Sequence, residues 1–149
     1  MNRKLRIFFL RHGLADRDAY RGDNDDLRPL TEYGEARMDK EATTLARLDP
    51  RIDVVISSPL LRAKQTAEIV AGRLGLADRL HLDRGLGLGF NSAELARLLT
   101  EHGEAERFLL VGHEPSFSEV ISDITGGSRV VCKKGGIARV DLVAGRKPI

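Results

Sequence analysis

Two histidines of this 149-residue sequence stand in the same local setting, each at the end of an apolar run and next to a glycine. Phe8-Phe9-Leu10 leads into Arg11-His12-Gly13, and Leu109-Leu110-Val111 leads into Gly112-His113-Glu114-Pro115. A neutral imidazole can attack or carry a proton near neutral pH, and a guanidinium presents planar donors that match phosphoryl oxygens. A third apolar run ends in Ser57-Ser58-Pro59 and leads to Arg62 in what reads as the opening turn of a helix. A cation there opposes the helix dipole at a cost of about 0.3–1 kcal/mol. An anion held at that end removes the conflict, because helix N-termini already favour phosphate. Taken singly, His12 or His113 could be a satisfied structural histidine and Arg62 a solvated helix residue. Together with Arg11 they suggest two imidazoles and two guanidiniums gathered around one tetrahedral anion.

Residues so far apart in sequence meet only if the ends of several segments share one edge. Leu5 to Leu10, Val54 to Ile56 and Phe108 to Val111 are apolar throughout, the pattern of strands buried on both faces, and Leu80 to Leu82 reads as a shorter one. Between them lie helical patterns. Met38, Ala42, Leu45 and Leu48 recur along one side of a segment from about Glu32 to Leu48, with Thr31 as its N-cap. Ser58-Pro59 predicts the start of a second helix that carries Ala63, Thr66, Ala67, Val70 and Leu74 on one stripe and ends at Gly75. A third is expected from Asn91 or Ser92 to Gly103, with Leu95, Leu98 and Leu99 inward, and a fourth from Pro115 to about Ile124. Strands that alternate with helices need crossover connections, so the expected fold class is α/β. The expected architecture is three-layer α/β/α, a mainly parallel central sheet with helices on both faces and Ala138 to Val143 as an antiparallel edge strand. Residues 1–149 read as a single domain, since no repeat or linker interrupts them. Ligands of such sheets bind beyond the carboxyl ends of the strands, where His12, His113 and Ser58 arrive.

Composition narrows the partners. With 42% hydrophobic and 31% charged residues the chain can bury a core and is not of disordered type. Its 24 basic and 22 acidic side chains leave a net +2, too little to predict a nucleic-acid partner from bulk charge. The apolar run Ile7 to Leu10 is too short for a signal-peptide core or a membrane span, so no membrane partner is expected. Cys132 is the one cysteine and excludes an intrachain disulfide, which favours the cytoplasm. The sequence leaves the oligomeric state open, a monomer being the simpler expectation.

The segment Leu10-Arg11-His12-Gly13 resembles the Arg-His-Gly signature of the histidine phosphatase, or phosphoglycerate mutase-like, superfamily. Further stretches match in order: Arg28-Pro29-Leu30-Thr31 with Gly34, then Ser57-Ser58-Pro59-Leu60-Leu61-Arg62-Ala63-Lys64-Gln65-Thr66-Ala67, then Val111-Gly112-His113. The short chain and the Arg28-Pro29-Leu30-Thr31 element resemble the SixA-type phosphohistidine phosphatases in particular. The resemblance implies that His12 attacks phosphorus, that Arg11, Arg62 and His113 surround the three equatorial oxygens, and that water then hydrolyses the phosphohistidine. Arg11 should keep the ring nitrogen unprotonated at pH 7. Neither a metal nor another cofactor is expected, because two guanidiniums supply the positive charge and repel a cation from the histidine pair.

Two departures from the family pattern matter. Many relatives carry a carboxyl group after the third strand that protonates the leaving oxygen; here that region reads Leu82-Asp83-Arg84-Gly85-Leu86-Gly87-Leu88-Gly89. Asp83 is the positional candidate for this acid, with Asp16 and Glu94 behind it. A leaving imidazole can be protonated on its ring before departure, which tilts the reading toward phosphohistidine. The other departure is Leu14 to Ala19, which offers no Asn, Ser or Thr as a further phosphate donor. Arg28 is a substrate-binding candidate that could equally bracket a turn. The mixed-charge run Asp16 to Arg28 reads as a solvated loop and potential lid, the glycines 85, 87 and 89 as a flexible rim, and His81, His102 and Cys132 as bystanders. The expected partner is a phosphorylated protein domain of a signalling system or, alternatively, a small phosphorylated metabolite. A catalytically silent phosphate-binding module is the alternative from another class.

Overall fold

The computed structural model describes residues 3–143. Five strands, β1 (Lys4–Arg11), β2 (Val54–Ser57), β3 (Leu80–Leu82), β4 (Arg107–Gly112) and β5 (Ile137–Val143), form one sheet in the order β3-β2-β4-β1-β5. All neighbours are parallel except β5, which runs antiparallel to β1 along the edge. Four helices connect them: α1 (Glu32–Arg47), α2 (Leu61–Leu74), α3 (Ser92–Glu101) and α4 (Ser116–Ile124). Among the described residues no helix is long and apolar enough to cross a membrane. The α/β class, the mainly parallel sheet and the antiparallel edge strand are as the sequence predicts.

Successive residues of a strand face opposite sides, so each apolar run feeds two cores. Ile7, Phe9, Ile56, Phe108 and Leu110 pack with Leu95 and Leu98 of α3 and with Phe117, Val120 and Ile121 of α4. Leu10, Val55, Leu109 and Val111 pack on the other side with Met38 and Ala42 of α1 and with Ala63, Ala67, Val70 and Ala71 of α2. The chain that leaves β1 therefore crosses one face, and the chain that leaves β4 crosses the other. Adjacent parallel strands whose connections part in this way open a crevice at their carboxyl ends.

Local differences from the sequence reading have physical causes. Thr31 caps α1 as expected, its hydroxyl accepting from Gly34 N at 2.9 Å. Leu48, placed on the apolar stripe by its spacing, is instead the exposed C-cap just past the helix end. Ser58 does not cap α2. Its hydroxyl accepts from Leu60 N at 3.2 Å within a turn, and the helix begins at Leu61 with Leu60 as an N-cap that has no side-chain bond. Asn91 caps α3, accepting from Glu94 N at 3.0 Å.

Candidate active site

The register of the sheet decides which residues meet. Leu10 pairs with Val111 and Arg11 with Gly112, so the next residue on each chain, His12 and His113, emerges side by side. Their ring centroids lie 5.3 Å apart with the planes tilted by 55°. Ser57 of β2 pairs with Val111 on the other flank of β4, which brings Ser58 to His113, and Ser58 Oγ lies 2.8 Å from His113 Nε2. Arg62 stands one residue into α2, and its side chain is buried in the same crevice. Arg11, His12, Arg28, Arg62 and His113 all line one cleft of about 420 Å³, with Asp16, Asp18, Asp25, Leu88 and Lys134 among its other walls.

The loop after β1 is held from beneath. Gly13 N donates to Thr66 Oγ1 at 3.0 Å, and the Thr66 hydroxyl donates to Arg62 O at 2.8 Å. Leu30 N donates to Gln65 Oε1 at 2.8 Å. Gln65 and Thr66 thus fasten two loops to α2, a task that their place in the motif does not announce. Gly34 is required by close approach: a Cβ there would sit 2.2 Å from the Leu14 carbonyl oxygen, which also accepts from Thr31 N. The first turn of α1 therefore presses directly on the backbone that follows His12.

Hydrogen bonding fixes the state of His12. Its Nδ1 lies 2.7 Å from Gly13 O, and a carbonyl can only accept, so Nδ1 carries the proton and Nε2 keeps the lone pair. Burial lowers the His12 pKa to about 4; the Gly13 bond opposes this, while the guanidiniums of Arg62, Arg11 and Arg28 add to it. Burial likewise lowers His113 to about 3, followed by His12 and the same arginines. The sequence singled out Arg11 as the cause at His12, but desolvation is the larger effect. Among the described residues, the buried side-chain nitrogens and oxygens without a hydrogen-bond partner are Arg11 Nε, Arg62 Nε and His113 Nδ1. All three belong to residues that face the cleft.

The remaining candidates fall in different places. Arg28 is buried, with Nε donating to Asp25 Oδ1 at 2.8 Å and a second nitrogen bonded to Ala15 O. Asp83 does not line the cleft. Its carboxylate accepts from Arg97 Nη2 at 2.7 Å and from Gly85 N at 2.7 Å. The Arg97 bond is the main reason its pKa is lowered, which leaves Asp83 ionised and without a proton to give at pH 7. Glu94, the reserve candidate, is bound to the same Arg97, whereas Asp16 does reach the cleft. His81 and His102 stand together, ring centroids 5.2 Å apart, and do not line the cleft. Cys132 is buried, and its carbonyl accepts from Arg11 Nη1 at 3.2 Å.

Comparison with known proteins identifies the family. Residues 7–87 match the family model described as histidine phosphatase superfamily (branch 1). An uncharacterized protein of Picosynechococcus sp. is 39% identical over 141 residues, which cover 89% of this chain and 82% of the relative. The phosphohistidine phosphatase SixA of Escherichia coli is 32% identical over 127 residues, covering 83% of this chain and 76% of that protein. A solved structure described as protein histidine phosphatase SixA complexed with tungstate superposes with a TM-score of 0.82 at 25% identity, covering 97% of both chains. With a matching family model over more than half its length and relatives at these identities, the chain belongs to the histidine phosphatase superfamily, and its fold is that of a phosphatase.

Proposed function

We propose that the chain removes phosphate from phosphohistidine on a signalling protein, passing the phosphoryl group through His12. The neutral Nε2 of His12 attacks phosphorus in line, forming an N–P bond as the bond to the leaving imidazole breaks. Arg11, Arg62 and His113 hold the equatorial oxygens, over which charge is spread in the transition state. Water then attacks the phosphoenzyme, releasing inorganic phosphate and restoring His12. The positive charge comes from guanidiniums, so this reading requires no metal.

The observation that carries the reading is the coincidence of the three orphaned nitrogens, Arg11 Nε, Arg62 Nε and His113 Nδ1, with the proposed phosphoryl cradle. A buried donor without a partner costs about 1–3 kcal/mol. Oxygens of a bound phosphoryl group offset that cost by accepting. Tungstate, which the solved relative holds, is an oxyanion of the same shape. Arg28, with its donors turned to Asp25 and Ala15, acts in this reading behind Arg62 and not on the phosphoryl oxygens.

The substrate follows from the leaving group. With Asp83 tied to Arg97, an imidazole that takes its proton from water is better served than an alkoxide. The E. coli relative acts on phosphohistidine by its own description. A small phosphomonoester is the second reading, favoured by the side chains of Asp16 and Asp18 on the cleft wall. Steady-state assays separate them. A kcat/KM at least about 100-fold higher for a phosphohistidine protein than for alkyl phosphates supports the first. A preference for alkyl phosphates sinks it, and no turnover of either leaves only a binding module.

A further inference from the structure

Building on the reading that Arg62 holds the phosphoryl group, we propose that Asp25 is its positioning residue, bridging Arg62 and Arg28 and so fixing how Arg62 addresses the anion. The Asp25 backbone carbonyl accepts from Arg62 Nη1 at 2.8 Å, and its Oδ2 lies 3.4 Å from Arg62 Nη2. Its other carboxylate oxygen, Oδ1, accepts from Arg28 Nε at 2.8 Å. One residue thus engages both terminal nitrogens of Arg62 and leaves Nε as the buried donor without a partner. The two arginine side chains are 3% and 7% exposed.

Charge explains the need for a bridge. Arg62 and Arg28 lie close enough that, after burial itself, Arg28 is the largest influence lowering the Arg62 pKa, while Asp25 raises it. Two buried like charges in one wall repel, and a shared carboxylate offsets the repulsion while setting their spacing. Asp25 is itself held in place. It opens the 3-10 turn Asp25–Leu27, which Asn24 caps by accepting from Asp26 N at 3.0 Å, and Tyr20 Oη donates to Asn24 O at 3.0 Å. The mixed-charge run that reads as a solvated loop therefore sends one carboxylate onto the cations of the cleft.

The sign of one measurement separates positioning from simple competition. A carboxylate that merely occupied Arg62 would compete with an incoming oxyanion, and its removal would tighten binding. A carboxylate that aims Arg62 would weaken binding when removed. Vanadate affinity, measured by calorimetry on the full chain, and kcat/KM on the phosphohistidine substrate are compared for wild type, Asp25→Asn and Asp25→Glu. The same substitutions are made in the Arg62→Ala background. Asp25→Asn should weaken vanadate binding and lower kcat/KM by about tenfold, the order of one lost bond to a charged group. Asp25→Glu should recover part of both. The Asp25→Asn effect should shrink to within about twofold once Arg62 is alanine, because Asp25 acts through Arg62 and has nothing left to position. Unchanged or tighter vanadate binding in Asp25→Asn overturns the proposal, as does an equal loss with and without Arg62. Should Asp25→Asn fail to fold, the comparison of Asp25→Glu with wild type in both backgrounds decides. Wild type that never becomes phosphorylated on His12 defeats the catalytic reading instead. Wild type that turns over while Asp25→Asn matches it defeats only the role of Asp25.

Discussion

Replacing Arg62 with alanine should cost the protein far more in turnover than in stability. In the folded state its side chain pairs with Asp25, which is 44% exposed, and a pair so open to solvent is worth about 0–1 kcal/mol. Its bond to the Asp25 carbonyl adds about 1.5–3 kcal/mol, while the orphaned Nε costs about 1–3 kcal/mol. These contributions largely offset one another, so the net loss of stability should not exceed about 3 kcal/mol, a shift of at most about 12 °C in Tm for a chain of this size. The reaction loses more. On the proposed role Arg62 donates two charge-assisted bonds to the phosphoryl oxygens, one from the unpartnered Nε and one from the second hydrogen of a terminal nitrogen, together about 3–6 kcal/mol, which corresponds to a fall of about 10²–10⁴ in kcat/KM. Thermal melts and steady-state kinetics on one preparation test this directly. Arg62→Ala activity within about threefold of wild type would rule out a phosphoryl contact by Arg62. So would a large drop in Tm whose unfolded fraction accounts for the lost activity.

Other expectations follow from the same geometry. Because the His12 pKa lies near 4, the acid limb of kcat/KM attributable to it should fall near pH 4, and a limb near pH 6.5 would contradict the buried neutral ring. Both histidines have folded-state pKa values below the unfolded 6.5, so the unfolded chain binds more protons between the two values. Stability to urea should accordingly be full above about pH 6.5 and decline as the pH falls toward 3–4, whereas equal midpoints at pH 7 and pH 5 would argue against it. His12→Ala should abolish turnover and keep vanadate binding measurable by calorimetry; retained turnover would place the nucleophile elsewhere. Gly34→Ala should lower stability by about 1–3 kcal/mol in denaturant melts, since its new methyl meets the Leu14 carbonyl, and an unchanged midpoint would show that α1 can slide away.

The parts of this design visible in the sequence are those governed by local rules. Apolar runs gave β1, β2 and β4, and glycine, threonine and asparagine at element ends gave the caps at Thr31, Gly75 and Asn91. The strand order could not be seen locally, because it depends on which neighbours fill both cores, and it is that order which sets His12 beside His113. Ser58 shows why motif residues mislead. Its type and its following proline fit an N-cap, but His113 and Leu60 engage its hydroxyl and the helix starts later. Asp83 has the right position after β3 for an acid, and only the side chain of Arg97, from the next helix, explains why it does not line the cleft. Asp25 lay hidden among the acidic residues of a polar run, since charge alone does not tell a solvated carboxylate from one that bridges two buried arginines.

Covalent transfer through His12 is tested by mixing the protein with a labelled phosphohistidine substrate, quenching within milliseconds, and mapping the label. Label should appear on His12, survive alkali, be lost in acid, and be absent from His12→Ala. Steady turnover with no label on His12 at any quench time, or label that resists acid, would contradict it.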